Sequence, residues 1–560
     1  MTSSIIKILI KYKNISIIYS CVLHLILRFR VKYNLKLRSA AIALFASAYF
    51  SAALPALAAV DLTITTSAGP VAGTTRNSVD SWLGLPFAAP PVGELRWQPP
   101  QPVKPWTAPI KAETLANSCA QGADLGTFAH AGGSEDCLYL NVYRPLKSAE
   151  TAQKLPVFVW IHGGALQVGQ GGDYDPTKLV QQGKNIVVTL NYRLGVLGFL
   201  SQPVLDTEGH KFGNYGLMDQ QAALRWVQKN IAAFGGDPSN VTIAGESSGG
   251  NSVMAHIAAP DSAGLFQHVV AMSGGGIMSR YPTFGAPRPL DVAREAGVAF
   301  AIAAGCTNED AACLRSLPVK RILEIQPSYA LNEFIIDGQV LPMHPADAYK
   351  KGKINHVTLI NGSTRDEGRF FVALPEIMTG KTLTERDYPE WINNQYGSAL
   401  APKVLAEYPL KNYDNPSEAF AAAATDSMFS CTARAMSRSL ENKIPVYAYE
   451  FGDRTAPSYI EPTSFPLLAA HTFELAYVFP GFNGASDIKV KLTPAQEKLS
   501  SEMVSYFANM AKMDTRQQEW PRYSAKADNL MTFALPKARV ISGRFAGTHH
   551  CEFWDQQGLY

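Results

Sequence analysis

The sequence predicts an α/β protein with a central, mostly parallel sheet covered by helices on both faces, and three observations predict it. Short apolar, β-branched runs recur at residues 157–161, 186–190, 241–244, 269–272, 357–360 and 446–449. They are continuous rather than alternating, as strands buried on both faces must be. Between two of them, residues 217–234 place Ala223, Leu224, Val227, Ile231 and Phe234 at helical spacing, then stop at Gly235-Gly236 with Pro238 just beyond. Finally, strand, helix and strand alternate in order, which requires right-handed crossovers and gathers active chemistry beyond the carboxyl ends of the strands.

With 560 residues, 47% hydrophobic and 17% charged, the chain can bury a large core. No Pro/Ser-rich linker, charge run or repeat divides it, so residues 59–560 read as one domain behind an N-terminal extension, residues 1–58. Within that extension Leu35-Lys36-Leu37-Arg38 is basic, residues 40–54 are apolar and Ala56-Leu57-Ala58 is a small-residue site. This order is that of a signal peptide cleaved after Ala58, which places the mature protein in the periplasm or outside the cell. Residues 1–34 carry no acidic residue and precede a complete signal peptide, which points to a mis-assigned translation start. An uncleaved anchor near residues 15–27 is the alternative, but that run is bounded by Lys13 and Arg28 and is short for a span of about 20 residues.

Cleavage also changes the charge. The extension holds eight of the 50 Lys and Arg and none of the 47 Asp and Glu, so the mature chain is about −5 rather than +3. Nucleic acid is thereby discarded as a partner, and no stable membrane association is expected after cleavage. Of the seven cysteines, Cys21 lies in the extension and Cys119, Cys137, Cys306, Cys313, Cys431 and Cys551 remain. An even number in an exported chain implies disulfides, with a pairing that spacing alone leaves open.

The chemistry is concentrated after strands. The run at 241–244 leads into Gly245-Glu246-Ser247-Ser248-Gly249-Gly250 and then into a helix-like apolar stretch. This is a GxSxG elbow in its strand-to-helix setting, where the glycines make room for a tight turn that exposes Ser247 as a nucleophile. The N–H of Ser248, at a helix N-terminus, is a candidate oxyanion donor. After 157–161 comes His162-Gly163-Gly164-Ala165, whose glycines let backbone amides approach a substrate oxygen. Gly164 and Ala165 are the other two candidate donors, and His162 reads as structural.

The acid follows the run at 357–360, in Arg365-Asp366-Glu367-Gly368-Arg369. Glu367, before the glycine, is the stronger candidate and Asp366 the adjacent alternative. The base must come later in the chain, where His471, His549 and His550 remain. His471, downstream of the run at 446–449, is assigned, because His549 and His550 sit beside Cys551. No metal or organic cofactor is needed for such a triad. Arg369, close to the acid, reads either as a determinant for anionic substrates or as a solvated surface arginine.

These residues stand among longer runs: Glu135-Asp136-Cys137-Leu138-Tyr139-Leu140-Asn141-Val142, Asn191-Tyr192-Arg193-Leu194-Gly195, the run from Gly213 through Asp219 to Gln221, and Phe234-Gly-Gly-Asp-Pro-Ser-Asn240-Val. With them, from about Gly69 to Cys551, the chain resembles the type-B carboxylesterases, the family of cholinesterases and bacterial para-nitrobenzyl esterases. The resemblance implies an α/β-hydrolase fold and a serine carboxylic-ester hydrolase working through Ser247, His471, Glu367 and an acyl-enzyme on a small-molecule ester. It implies Cys119–Cys137, Cys306–Cys313 and Cys431–Cys551 pairs, Phe370 and Phe371 in the substrate gorge, and Ser273 behind the triad. Four departures stand out: Ser248 where Ala is usual, Leu166 where an aromatic residue is usual, Arg369 close to the acid, and no Trp between Cys119 and Cys137. The last disfavours choline esters, which cholinesterases hold by cation–π attraction. Other functions open to such a chain are a non-catalytic binding or adhesion role and an amidase or lactonase using the same triad.

Overall fold

The computed structural model describes residues 61–123, 125–126, 129–146, 153–211, 213–281, 285–306, 310–329 and 331–560. The signal peptide, its cleavage site, the alternative anchor and Cys21 lie outside these residues. Leu62–Tyr560 is one compact unit.

Its centre is an eleven-stranded sheet. The strands are β1 (Thr74–Arg76), β2 (Val79–Pro86), β3 (Tyr139–Pro145), β4 (Leu155–Ile161), β5 (Ile186–Leu190), β6 (Gly236–Glu246), β7 (His268–Met272), β8 (Thr358–Thr364), β9 (Val446–Phe451), β10 (Asn529–Phe533) and β11 (Arg539–Ser542). Across the sheet they run β11, β10, β9, β8, β7, β6, β4, β5, β3, β2, β1. From β10 to β5 all neighbours are parallel, and β11, β3, β2 and β1 extend the edges antiparallel. All six expected strands are present, each starting or ending within a few residues of the apolar run except β6, which begins five residues earlier at Gly236.

The apolar runs are continuous because the sheet is covered twice. Along β4, Val157, Val159 and Ile161 join one core while Phe158 and Trp160 join another. Ile186, Val188 and Leu190 of β5 repeat the split against Val187. Successive side chains point to opposite faces of a strand, so a strand with a core on each face reads as a nearly continuous apolar run, with a polar residue such as Thr189 buried only where it is hydrogen-bonded.

The helix expected at 217–234 is α1 (Tyr215–Asn230), continued by a tighter 3₁₀ turn (Ile231–Phe234) that Gly235 closes at φ 92°. Four further helices matter for the site: α2 (Ser248–Ala258), α3 (Gly368–Thr379), α4 (Tyr388–Glu407) and α5 (Pro416–Thr425). A π-helical turn (Asp426–Ser430) joins α5 to α6 (Cys431–Leu440).

The three disulfides are Cys119–Cys137, Cys306–Cys313 and Cys431–Cys551. Among the described residues no helix is long and apolar enough to cross a membrane, and no group of His, Cys, Asp and Glu could hold a metal ion.

Candidate active site

Register brings the strand ends together. Ile161 of β4 stands opposite Gly245 of β6, Glu246 opposite Met272 of β7, and Met272 opposite Gly362 of β8. The residues that follow these ends therefore meet on one edge of the sheet.

Ser247 turns the chain from β6 into α2 at φ 58°, ψ −124°, a backbone conformation that costs a non-glycine residue about 1–3 kcal/mol. The turn is held by the Ser247 N–H donating to Met272 O (2.9 Å) and the Asn251 N–H donating to Ser247 O (2.9 Å). A Cβ on Gly245 would stand 2.4 Å from Gly249 O, and one on Gly249 would stand 2.2 Å from Ile161 O. Both positions therefore require glycine for space.

The candidate oxyanion loop follows β4. Gly164, Ala165 and Leu166 all have positive φ (92°, 59° and 57°), so two residues with side chains occupy left-handed backbone in succession. Hydrogen bonds hold them there: the Gln167 and Val168 amides donate to Gly164 O (both 2.9 Å), Asn332 Nδ2 donates to Ala165 O (2.8 Å), and the Leu166 N–H donates to Ser248 Oγ (3.1 Å). The amides of Gly164 and Ala165 find no acceptor among the described residues, and both residues line the same cavity as Ser247. Ser248 opens α2, where the helix leaves its N–H unbonded. His162 lies behind the loop, fully buried, stacked on Tyr192 at 4.4 Å, with burial lowering its pKa to about 4.

Glu367 follows β8 and is fully buried. Its Oε1 accepts from the Thr364 N–H (2.7 Å) and from Ser273 Oγ (2.6 Å). Its Oε2 is 2.5 Å from His471 Nδ1. Asp366 faces away and pairs with Arg454 at 2.7 and 3.0 Å, which separates the two candidate acids. The His471 ring sits among Phe370, Phe371 and Phe429, with centroids 5.7, 5.0 and 5.0 Å away. Its Nε2 lies 3.2 Å from Glu246 Oε1, and among the described residues no hydrogen bond joins it to Ser247 Oγ. His471 and Ser247 line one cavity; His549 and His550 line another. His549 is clamped between Asp426 (2.7 Å) and Glu450 (2.8 Å), and His550 pairs with Glu407 (2.6 Å).

Two further carboxyl groups surround the triad candidates. Glu246 and Glu474 are buried, and both are pushed well above the ordinary carboxylate range. Burial is the main cause for each; Glu474 and Glu367 add to it at Glu246, and Glu367 adds to it at Glu474. Both therefore favour the neutral form, while Glu367 accepts its two hydrogen bonds and faces His471 Nδ1. The sequence held both: one stands beside the nucleophile, the other three residues after His471. Neither has a motif position that marks it.

The cavity measures about 530 Å³ and its walls are largely apolar, with Phe370, Phe371, Leu374, Trp391, Phe420, Met428 and Phe482 among them. No Lys or Arg lines it among the described residues. Arg369 is neither a gorge residue nor a solvated one. Its side chain is 13% exposed and bonds Glu418 (3.1 Å) and Pro466 O (2.5 Å), on the far side of the acid segment. The reading of Arg369 as a determinant for anionic substrates is corrected accordingly.

A sequence model of the Carboxylesterase family matches residues 60–554. The para-nitrobenzyl esterase of Bacillus subtilis (strain 168) is 35% identical over 483 residues, 82% of this chain and 92% of that protein. The cocaine esterase of Homo sapiens is 33% identical over 529 residues, 88% of this chain and 90% of that one. Among solved structures, a thermophilic PNB esterase superposes with a TM-score of 0.74 at 31% identity, covering 88% of this chain and 99% of its own.

Proposed function

Because the chain belongs to the carboxylesterase family and is a carboxylesterase, we propose that it hydrolyses esters through Ser247, His471 and Glu367 by way of an acyl-enzyme. The observation that carries this reading is the line from Ser273 through Glu367 to His471 Nδ1 in the wall of the cavity that Ser247 enters. Glu367 fixes the imidazole through Nδ1 and leaves Nε2 to receive the Ser247 proton. A charged Glu246 beside Nε2 would hold that proton in place; kept neutral by burial, it lets the imidazole turn to the serine.

Ser247 Oγ then attacks the ester carbonyl, and the developing oxyanion meets the amides of Gly164, Ala165 and Ser248. In comparable sites each such donor contributes about 3–4 kcal/mol to the transition state. Collapse of the intermediate releases the alcohol with the proton from His471. Water, deprotonated by the same histidine, releases the acid and restores Ser247. Phe370 and Phe371 contact the substrate, and the uncharged apolar walls suit neutral esters with bulky hydrocarbon groups.

The test is Ser247→Ala, for which turnover of short-chain p-nitrophenyl esters should fall on the order of 10⁵-fold or more while the fold is kept. A fluorophosphonate probe should label Ser247 in the native enzyme. Turnover retained by the variant would exclude Ser247 as nucleophile.

We also propose that residues 59–560 are the mature enzyme, exported after cleavage following Ala58. Three disulfides support an oxidising compartment. N-terminal sequencing of exported protein should begin at Ala59, and an earlier start would exclude this cleavage.

A further inference from the structure

A second cavity, about 180 Å³, lies behind the acid segment. The two cavities share walls. Residues 365–369 turn Glu367 toward His471, while Arg365, Asp366 and Arg369 line the second cavity. Helix α5 likewise gives Phe420 and Ala424 to the Ser247 cavity and Glu418 and Thr425 to the other.

The charges lining this second cavity can be assigned partner by partner. Asp366 is held by Arg454 at 2.7 and 3.0 Å. Glu418 receives Arg369 at 3.1 Å. Asp426 accepts from Tyr408 Oη (2.8 Å) and pairs with His549 (2.7 Å). His550 pairs with Glu407 at 2.6 Å. Each carboxylate in the wall has its cation, and one cation is left over. Among the described residues the Arg365 guanidinium makes no ion pair and no hydrogen bond, and its Nε is buried without an acceptor. A guanidinium stays charged at any working pH and offers five donors in a planar fork. Leaving such a group half-buried and unpaired is costly, and a carboxylate or phosphate matches the fork with two parallel bonds.

We propose that this cavity is a binding site for a small oxyanion, a carboxylate or inorganic phosphate, with Arg365 as its principal donor. The chemistry has two sources: the carboxylate class includes the acids that ester hydrolysis releases, whereas phosphate comes from the surroundings. An anion on Arg365 also anchors the segment that carries Glu367 two residues on, so occupancy stabilises the fold at the back of the triad. The inference does not depend on the roles assigned to Ser247 or His471, since binding is read without turnover.

The experiment is calorimetric titration of the full, disulfide-intact chain with sodium phosphate and with sodium acetate, at an ionic strength held constant with NaCl. Saturable binding is expected with a Kd on the order of 1 mM for at least one anion. The melting temperature should rise by about 1–2 °C at tenfold excess over that Kd. Tighter phosphate would assign the environmental source and tighter acetate the product class. Arg365→Gln should weaken binding tenfold or more. Arg365→Lys, which keeps the charge and loses the fork, should fall between and serves alone if the glutamine variant does not fold. Absence of saturable heat above the chloride blank up to about 20 mM of either anion, or wild-type affinity in Arg365→Gln or in a sole-surviving Arg365→Lys, would overturn the proposal.

Discussion

The Ser248 hydroxyl joins two strained turns, because its Oγ accepts the Leu166 N–H directly behind Gly164 and Ala165. Alanine there would leave a buried amide without an acceptor, at a cost of about 1–3 kcal/mol. The expected outcome for Ser248→Ala is a kcat lowered about three- to tenfold with KM little changed, since the loop donates mainly to the transition state. Steady-state kinetics on p-nitrophenyl esters beside a melting curve would check it. For Arg369→Ala the ratio of anionic to neutral ester turnover should stay within about twofold of wild type, because the side chain faces Glu418 rather than the substrate cavity. Competition assays with a paired succinyl and butyryl ester measure that ratio. At this scale the candidates Ser247, Gly164, Ala165 and Glu367 could be picked out from the sequence, since each follows shortly after an apolar run. The orientation of Arg369 and the presence of Glu246 and Glu474 beside His471 depend on how separate loops pack, which linear spacing does not encode.

The π turn Asp426–Ser430 carries consequences for two regions at once. Phe429 packs against His471, while Asp426 reaches His549, whose other nitrogen meets Glu450 of β9. Burial alone would lower the His549 pKa, but hydrogen bonds and charges from Asp426 and Glu450 outweigh it and raise it to about 10. Against an unfolded value near 6.5 the native state binds the extra proton, so this stabilisation is complete below about pH 6.5 and is lost as pH rises toward 10. The melting temperature of the wild type should therefore fall across that window, and His549→Gln should start lower and decline less steeply; melting curves at half-unit pH steps would show it. Elements differ in how visible they were in the chain. The doubly buried strands announce themselves by hydrophobicity, and Gly235 closes the 3₁₀ turn that continues α1, as its position suggests. Strands β1, β2, β3, β10 and β11 were not expected: β1, β2, β3 and β11 are antiparallel additions that mix polar and apolar residues, β2 is interrupted by an irregularity between Trp82 and Leu85, and β10 is short and begins on a polar residue, Asn529.

For the whole molecule, the Cys431–Cys551 bond closes a span of 120 residues and fastens the C-terminal helix beside the π turn. By loop-closure entropy its removal should cost about 5 kcal/mol, so the Cys431→Ser, Cys551→Ser pair should unfold at distinctly lower denaturant, measured by tryptophan fluorescence. That pairing, like the other two, was implied by family resemblance and not by spacing. Fold class was legible because it rests on repeated patterns over hundreds of residues, whereas the shape of the substrate cavity was not. Its apolar walls come mostly from one contiguous stretch: α3, α4, α5 and the π turn, residues 368–428. Ser247 and the Gly164–Ala165 loop, by contrast, hang from strands β6 and β4. The candidate catalytic residues and most of the cavity wall thus occupy different parts of the chain, which meet where Phe370 and Phe371 pack against His471. A transplant of residues 368–428 between relatives should exchange the range of esters accepted while the turnover machinery stays where the sheet holds it.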